Sequence, residues 1–302
     1  MATNQGFKSL VPNPALLDAR YLARWLRASK GYLQALGTGA TFKEVSKAVV
    51  ARVEIPIPPL DEQRRVAAIL DQADVLRSMR GQTLELLATV TQATFLSMFG
   101  NPDDVTDTVR FGQVAGLAGG RNLVADDPDV RSKFRVLKIS AVTTGHFRPS
   151  ESKPLPPAYV PPVAHLVRSG DLLMSRANTA ELVGAVAHVG VMPHNLVLPD
   201  KIWRFEWRDE RSVPIFYQAL FSTPAIRRRV SQMASGTGGS MKNVSKAKLE
   251  LLELPRIEVD QQREFAARVE RIHAQRALAQ RSLASLDELF ASLQASAFSG
   301  AL

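Results

Sequence analysis

The chain has 302 residues, 45% of them apolar, and a formal net charge of +9. This length and composition suffice for one or two hydrophobic cores, and the positive charge favours a polyanionic partner such as DNA or RNA. The absence of cysteine excludes disulfides and thiolate metal sites, and no apolar run approaches the roughly 18 residues of a membrane span. Because the N-terminal residues also lack a signal-peptide pattern, we expect a cytoplasmic protein with no membrane partner.

Residues 1–59 predict a small mixed segment. A short helix is expected near residues 21–28, followed by a glycine loop that begins at Gly37 and by a strand over residues 49–57. Proline lacks the backbone donor that a strand ladder uses, so the prolines that begin at Pro56 should end this strand.

Residues 60–99 predict one long helix. They contain no proline, and Asp61 and Glu62 suit a helix N-terminus. A helix of about 38 residues would be about 57 Å long at 1.5 Å per residue, so it needs a packing partner along its length. The apolar positions that recur every three or four residues include Val66, Leu70, Ala73, Leu76 and Leu87.

Residues 100–258 predict a separate α/β domain. Short β-rich runs occur at residues 135–139, 172–176, 182–191 and 201–207, and a helical segment follows at residues 214–233. A second glycine loop and a strand over residues 249–254 complete this domain. Residues 259–302 then predict a second long amphipathic helix with its tail. Its apolar positions are Phe265, Val269, Ile272, Leu283, Leu286 and Leu289.

The chain repeats itself at long range. Residues 37–66 align with residues 236–265 at a constant shift of 199 positions, which superposes Val45-Ser46-Lys47 on Val244-Ser245-Lys246 and Gln63-Arg64 on Gln262-Arg263. A match through loop, strand, proline break and helix start indicates a duplicated module. We therefore predict an α/β (α+β) domain plus two long helices that form an antiparallel coiled coil. The alternative, in which each helix covers its own domain, stays open.

In its order of motifs the chain resembles the specificity subunits of type I restriction-modification systems. The sequence LDEQRRVAAIL after the proline-rich segment, the helix end FLSMFG, the run Gly170–Arg176 and the glycine loop before Asn243-Val244-Ser245 carry the resemblance. It implies a non-catalytic subunit whose target-recognition domain reads part of a bipartite site in double-stranded DNA. It also implies partners: methyltransferase (modification) subunits that carry S-adenosylmethionine, and a restriction subunit that uses Mg²⁺ and ATP. No cofactor would be bound by this chain itself.

The sequence departs from that family in one respect. The first copy of the repeat has no counterpart of residues 100–197, so residues 1–59 correspond to only the distal part of a recognition domain, whereas residues 100–258 correspond to a complete one. A truncated first domain, a half-length subunit that pairs with a second copy of itself, and a split subunit completed by another chain all remain open.

Candidate DNA-binding residues come from two loops and from scattered basic positions. Arginine can donate two hydrogen bonds to guanine and asparagine can pair with adenine, so the segment Arg176–Thr179 is the preferred base-reading candidate. The glycine loop at residues 235–243 predicts phosphate contacts, and the first copy retains its lysine as Lys43. The full predicted set is Arg176, Asn178, Thr179, Lys242, Asn243, Lys246, Ser240, Lys138, Arg121 and Lys43. The triple arginine at residues 227–229 predicts the exposed face of a helix.

Catalysis has little support in the sequence. The five histidines are scattered without metal-ligand spacing, so we predict no catalytic residue and no metal site. One rival hypothesis is a Mg²⁺-dependent nuclease that uses Asp129, Glu151 and Lys153. Another is a coiled-coil scaffold without a DNA function, which would leave the basic α/β domain unexplained.

Overall fold

A computed structural model describes residues 7–38, 43–236 and 241–299 of the chain. The chain divides into two compact units: unit 1 comprises residues 1–87 and 275–302, and unit 2 comprises residues 88–274. Each of the two longest helices contributes to both units. Within the described residues, no helix combines the length and the hydropathy needed to cross a membrane.

Nine α-helices occur in the described part of the chain. They are α1 (Ala19–Ala28), α2 (Lys30–Ala35), α3 (Lys47–Val50), α4 (Leu60–Phe99), α5 (Phe111–Val114), α6 (Pro214–Ser222), α7 (Pro224–Met233), α8 (Lys246–Glu250) and α9 (Val259–Ser299). The strands there are β1 (Thr108–Arg110), β2 (Ala115–Gly119), β3 (Arg135–Leu137), β4 (Ser152–Pro154), β5 (Leu172–Ser175), β6 (Ala177–Asn178), β7 (Val186–His188), β8 (Leu196–Val197), β9 (Ile202–Trp207), β10 (Lys242–Asn243) and β11 (Glu253–Pro255).

Unit 1 is built on the first part of α4 and the last part of α9. Its core contains Tyr21 from α1, Val66 and Leu70 from α4, and Phe290 and Ala297 from α9, all of them buried. Farther along α4, Arg77 pairs with Asp287 at 2.6 Å and lies over the ring of Phe290. The residue numbers on α4 therefore rise as those on α9 fall, so the two helices are antiparallel in this unit.

Unit 2 contains a four-stranded antiparallel sheet in the order β2-β9-β5-β7 and a three-stranded sheet in the order β4-β3-β8. Strand β5 alternates in the way that a two-sided sheet requires, because Leu172 and Met174 join the large cluster with α6 and α7 while Leu173 joins a smaller one. The ring of Phe95 near the end of α4 meets Phe265 near the start of α9 edge-on, at 5.6 Å between centroids. The helices are antiparallel in this unit too.

The predicted fold class is confirmed: a mixed α/β domain is accompanied by two long antiparallel helices. Helix α4 spans the predicted residues, and it ends where Gly100 adopts a positive φ of 72°, the usual conformation after a helix C-terminus. The predicted interface residues are fully or half buried: Val66, Leu70, Ala73, Leu87, Phe265, Val269, Ile272, Leu283 and Leu286. The predicted stripes also contained Leu76 and Leu289, and their predicted burial is wrong because both side chains are more than half exposed.

The strand predicted over residues 49–57 is wrong, because no residue of this range belongs to a strand, and only the end of the strand predicted over residues 249–254 is present, as part of β11. Residues 47–50 and 246–250 are short helices, because Ser46 and Ser245 each cap a helix by accepting a hydrogen bond from the backbone N–H three residues later. A serine cap outweighs the β propensity of Val49 and Val50. The long strand predicted over residues 182–191 is likewise only β7, since residues 180–184 form a turn that ends at Gly184 with φ of 75°.

The duplication extends to atomic detail. Gln63 is buried, and its Nε2 donates to the carbonyls of Leu16 and Pro58 while its Oε1 accepts from the backbone N–H of Asp18 at 2.7 Å. Gln262 repeats this arrangement, because its Nε2 donates to the Ile257 carbonyl and its Oε1 accepts from the Val213 backbone N–H. The two glutamines join the start of a long helix to the N-terminus of α1 in unit 1 and of α6 in unit 2.

Candidate nucleic-acid interface

The two loops that the sequence singles out meet in unit 2. Strands β6 and β10 pair antiparallel, with Asn178 opposite Lys242 and Ala177 opposite Asn243. The backbone N–H of Val244 donates to the Arg176 carbonyl at 3.0 Å, which continues the ladder. On its other edge, Asn243 exchanges two backbone hydrogen bonds of 2.9 Å with Ser235. The base-reading candidate and the described ends of the glycine loop are therefore neighbours, although about 60 residues separate them in the chain.

The side chain of Arg176 lies close to the aromatic ring of Trp203. Its guanidinium carbon lies 5.6 Å from the centroid of the Trp203 ring, a cation–π distance, while its backbone N–H donates to the Lys201 carbonyl. Within the part of the chain that the structure describes, the guanidinium makes no hydrogen bond or ion pair, and its Nε is buried without a partner. A ligand that brings a hydrogen-bond acceptor to this buried N–H would remove the cost of leaving it without a partner.

Asn178 and Lys242 differ in the contacts that their side chains make within the protein. The Oδ1 of Asn178 accepts from the Thr179 backbone N–H at 2.9 Å, which leaves its amide donors and a second lone pair. The half-buried Lys242 side chain has no ion-pair partner among residues 7–38, 43–236 and 241–299. The predicted residue Ser240 lies outside the described residues.

A second group of cations adjoins this surface. Lys138, Lys153 and Lys201 line a pocket of about 190 Å³ together with Asn122 and Asp200. Arg121 precedes Asn122, and its position depends on Gly120, whose backbone N–H donates to the Pro199 carbonyl at 3.0 Å. A Cβ at Gly120 would lie 1.7 Å from the Leu198 carbonyl oxygen, so only glycine permits this approach. Through residues 199–201 the predicted Arg121 and Lys138 thus come near Arg176.

Other predicted residues have internal partners or lie elsewhere. The Nζ of Lys246 donates to the Leu117 carbonyl at 2.6 Å and lies 5.9 Å from the Trp203 ring. Lys138 pairs with Glu151 at 3.5 Å. Lys43 is exposed in unit 1, in the first copy of the glycine loop.

The arginines at residues 227–229 were predicted as the exposed face of a helix; this is correct for Arg228, whose side chain is 56% exposed, whereas Arg227 and Arg229 are half buried. Arg227 donates to the Val183 and Glu181 carbonyls, and burial lowers the pKa of its guanidinium. Arg228 and Arg229 both pair with Asp103. These arginines connect α7 to loops of the same unit, and the Asp103 carboxylate offsets part of the charge of Arg228 and Arg229.

Sequence reasoning missed two contributors to this surface. Trp203 was read only as part of a strand, yet its ring supports both Arg176 and Lys246. Lys201 was one of many basic positions, yet its carbonyl fixes Arg176 and its side chain lines the lysine pocket. The alternation of β9, which starts at Ile202, gives Trp203 the sheet face opposite to that of Ile202, and that signal could have drawn attention to it.

The nuclease triad predicted as a rival does not assemble a recognisable ligand set. Glu151 accepts a 2.6 Å hydrogen bond from the Ser140 hydroxyl, and this bond, followed by the charge of Lys138, lowers the pKa of its carboxyl group. Asp129 lies in an exposed turn in which its backbone N–H donates to Asp127. The described residues contain no group of three or more His, Cys, Asp or Glu side chains that could hold a metal ion.

Comparison with known proteins gives consistent results. A family model described as the type I restriction modification DNA specificity domain matches residues 1–87. The chain is 26% identical over 313 aligned positions to the EcoKI specificity subunit of Escherichia coli K12, covering 95% of this chain and 66% of that protein. It is 22% identical to the MjaVIII specificity subunit of Methanocaldococcus jannaschii, covering 74% of this chain and 56% of that one. The chain thus spans less than two thirds of the length of either relative.

The fold has counterparts among solved structures. A type I restriction-modification S subunit from M. genitalium superposes with a TM-score of 0.58 at 13% identity, covering 95% of this chain and 74% of that one. A chain from a study of complex assembly in the type I system superposes with a TM-score of 0.59 at 18% identity, covering 96% and 73%. These similarities concern the fold alone. Together with the sequence matches, they confirm the predicted resemblance.

Proposed function

We propose that this chain, a relative of the specificity subunits of type I restriction-modification systems, is a non-catalytic subunit that recognises part of a bipartite site in double-stranded DNA. The observation that carries the proposal is the convergence of Arg176, Asn178 and Lys242 on the β6–β10 ladder, with Lys138 and Lys201 beside it. The chain would act in the cytoplasm, and S-adenosylmethionine, Mg²⁺ and ATP would belong to its partner subunits.

We assign different roles to the two halves of the ladder. The Arg176 guanidinium lies over the Trp203 ring and makes no hydrogen bond to the described residues, which suits a guanine edge in the major groove. Lys242 and the lysines around the small pocket carry flexible point charges, which suit phosphates and fix position without reading sequence. Base readout and phosphate binding would then change independently when these residues are replaced.

The experiment that tests this function is protection mapping. The tagged chain is purified with its modification subunit and mixed with random duplexes and S-adenosylmethionine, and we expect a stable complex and one discontinuous, sequence-specific footprint. The symmetry of that footprint would separate a self-paired half-subunit from a single reading head. Loss of every footprint would contradict the proposal. Mg²⁺-dependent cutting that Asp129→Ala abolishes would also contradict it and would favour the nuclease hypothesis.

Two variants of the chain test the assigned roles. Lys242→Ala should weaken binding to all sequences and reduce the slope of log K against log salt by about one unit, because one phosphate contact is lost. Arg176→Ala should reduce discrimination at one base pair by about 1–3 kcal/mol and leave the salt slope nearly unchanged. Arg263→Ala, which removes an exposed arginine on α9, is the matched control for charge. The reverse pattern for Lys242 and Arg176 would reject the assignment.

We further propose that modification subunits dock on the two long helices. In unit 1 the contact of Arg77 with Asp287 sets an antiparallel register in which Val75 is level with Leu289 and Leu86 with Leu278. These four side chains are 52–68% exposed, although each is a large apolar residue on a regular helix. Apolar positions that recur at matching levels of two helices are suited to a helical partner.

A further inference from the structure

The two copies of the repeat differ in how well their apolar residues are covered. At the shift of 199 positions, Val45, Val50, Val53 and Ile55 of the first copy correspond to Val244, Leu249, Leu252 and Leu254 of the second. The four residues of the second copy are at most 2% exposed, whereas their counterparts in the first are only half buried. The local conformations match, since both copies have the serine-capped short helix, so the difference lies in what packs on it.

Unit 2 shows what supplies the missing cover. Strand β1 pairs antiparallel with β11, and places Val109 opposite Leu254. The backbone N–H of Phe111, the first residue of α5, donates to the Leu252 carbonyl at 2.8 Å, and the Phe111 ring is fully buried. In the first copy no strand pairs with residues 53–57, so far as the described residues go, and the Val53 carbonyl accepts no backbone hydrogen bond from them.

The glycine loops show the same contrast. In unit 2 the space beside Gly236, Lys242 and Val244 is occupied by β6. The carbonyl of Arg176, the residue before β6, accepts a hydrogen bond from the backbone N–H of Val244. In unit 1 the counterparts of these residues border an open groove of about 540 Å³. Its lining residues are Leu26, Lys30, Leu33, Gln34, Gly37, Lys43 and Val45. The backbone N–H of Val45 has no hydrogen-bond partner within the described ranges.

We propose that this face, formed by residues 43–57 together with the groove, binds a polypeptide segment that presents an edge strand and a one-turn helix like this chain's own Thr108–Val114. This segment adds a β strand to residues 53–57 and buries an aromatic ring against Val53, as Phe111 is buried in unit 2. The occupant is not a second copy of the folded chain, because β1 and Phe111 of that copy are already paired and buried in its own unit.

Disulfide trapping tests this docking face with the full chain. Because the chain has no cysteine, Ile55→Cys gives a single thiol at the position equivalent to Leu254. The probe is a peptide with the sequence of residues 105–117 that carries Val109→Cys. If the peptide adds a strand in the register of β1, the local thiol concentration rises, and the mixed disulfide should form about tenfold faster than with Ala51→Cys, an exposed control in the same copy.

The controls make every outcome decisive. A peptide of scrambled order should abolish the difference between the two chain variants. Equal rates for Ile55→Cys and Ala51→Cys with the ordered peptide would overturn the proposal, and faster disulfide formation between two chains than with the peptide would replace the occupant with a second copy. If Ile55→Cys does not fold, Glu54→Cys with an Arg110→Cys peptide tests the same register and keeps the aromatic ring. None of these results depends on DNA binding by unit 2.

Discussion

A buried glutamine links separate segments of the chain in each unit. Gln63 is fully buried and makes hydrogen bonds to three backbone groups that lie on two different segments before α4. Gln262 has the corresponding partners before α9. A side chain that joins a helix start to a distant helix N-terminus stabilises tertiary structure rather than the helix alone.

Replacing these glutamines should loosen one unit at a time. Gln63→Ala removes three hydrogen bonds to partly buried backbone groups, and we expect it to destabilise unit 1 by about 1–3 kcal/mol. Hydrogen exchange measured by mass spectrometry should accelerate over residues 16–22 and 60–70 and remain unchanged over residues 209–217. Gln262→Ala should give the converse result, while the exposed Gln72→Ala on the same α4 should change neither. Exchange that accelerates equally in both units would contradict the assignment.

Asp71 makes the packing of α1 on α4 sensitive to acid. It accepts hydrogen bonds from Arg20 and from the nearly buried Arg24, whose other terminus pairs with Asp74 at 2.8 Å. The bond from Arg20, more than the other contacts, holds the pKa of the Asp71 carboxyl below its ordinary value of 3.8. A carboxylate with a lowered pKa in the folded state contributes stability above its unfolded pKa, and this contribution disappears as the pH falls through the folded pKa.

The expected effect of Asp71→Asn therefore depends on pH. At pH 7 it should lower the free energy of unfolding by about 1 kcal/mol, since partly exposed ion pairs contribute little. Below about pH 4 the difference between this variant and the parent chain should shrink as the carboxyl of the parent is protonated. Urea unfolding at both pH values measures it, and Asp61→Asn, at an almost fully exposed carboxylate, is the control. A difference that is constant with pH would show that Asp71 acts through packing alone.

At the scale of elements, apolar residues of the same predicted stripe on α4 should differ in how much they contribute to stability. Leu70 is fully buried in unit 1 and Leu76 is 54% exposed, although both fit the predicted stripe. We expect Leu70→Ala to lower the free energy of unfolding by about 2–5 kcal/mol and Leu76→Ala to change it by less than about 0.5 kcal/mol. Urea unfolding measures both, and similar losses for the two would mean that α4 packs in another rotation.

The same elements show how far sequence reasoning reaches. The bounds of α4 were predictable because proline, acidic residues and a glycine mark them locally. The strand predicted over residues 49–57 failed because one serine side chain, not the average propensity of the segment, decides the conformation of residues 47–50. Leu76 was misassigned since a spacing of three or four residues defines a stripe without fixing which edge of it is covered.

The candidate site was predictable in its parts and not in its assembly. Arg176–Thr179 and the glycine loop were found as separate segments, and their pairing through β6 and β10 depends on strand contacts between distant residues. The burial of Arg227 and Arg229 was missed for the same reason, because their partners Glu181, Val183 and Asp103 are remote in sequence. The internal repeat was the most powerful signal, since it ties Gln63 to Gln262 before any coordinate is known.

At the scale of the whole molecule, the proposed docking of a modification subunit rests on exposed apolar side chains at matching helix levels. Leu86 and Leu278 are level in unit 1, and both are more than half exposed, so neither contributes much to the fold of the isolated chain. Residues of this kind can be charged at small cost to folding. They should have a large effect on a partner only if that partner buries them.

The double variant Leu86→Glu with Leu278→Glu should therefore weaken binding of the modification subunit by tenfold or more, because a docked helix would bury two carboxylates. The free energy of unfolding should change little. Co-purification and titration with the modification subunit measure the affinity. The double variant Gln82→Glu with Gln280→Glu adds the same charge at exposed neighbouring positions and is the control.

If both double variants weaken binding equally, long-range charge explains the loss and the apolar contact at Leu86 and Leu278 does not exist. A second outcome concerns base recognition. If only the leucine variant loses the partner, and the complex that still forms protects the same DNA sequence, then the helices bind the partner independently of base recognition by unit 2.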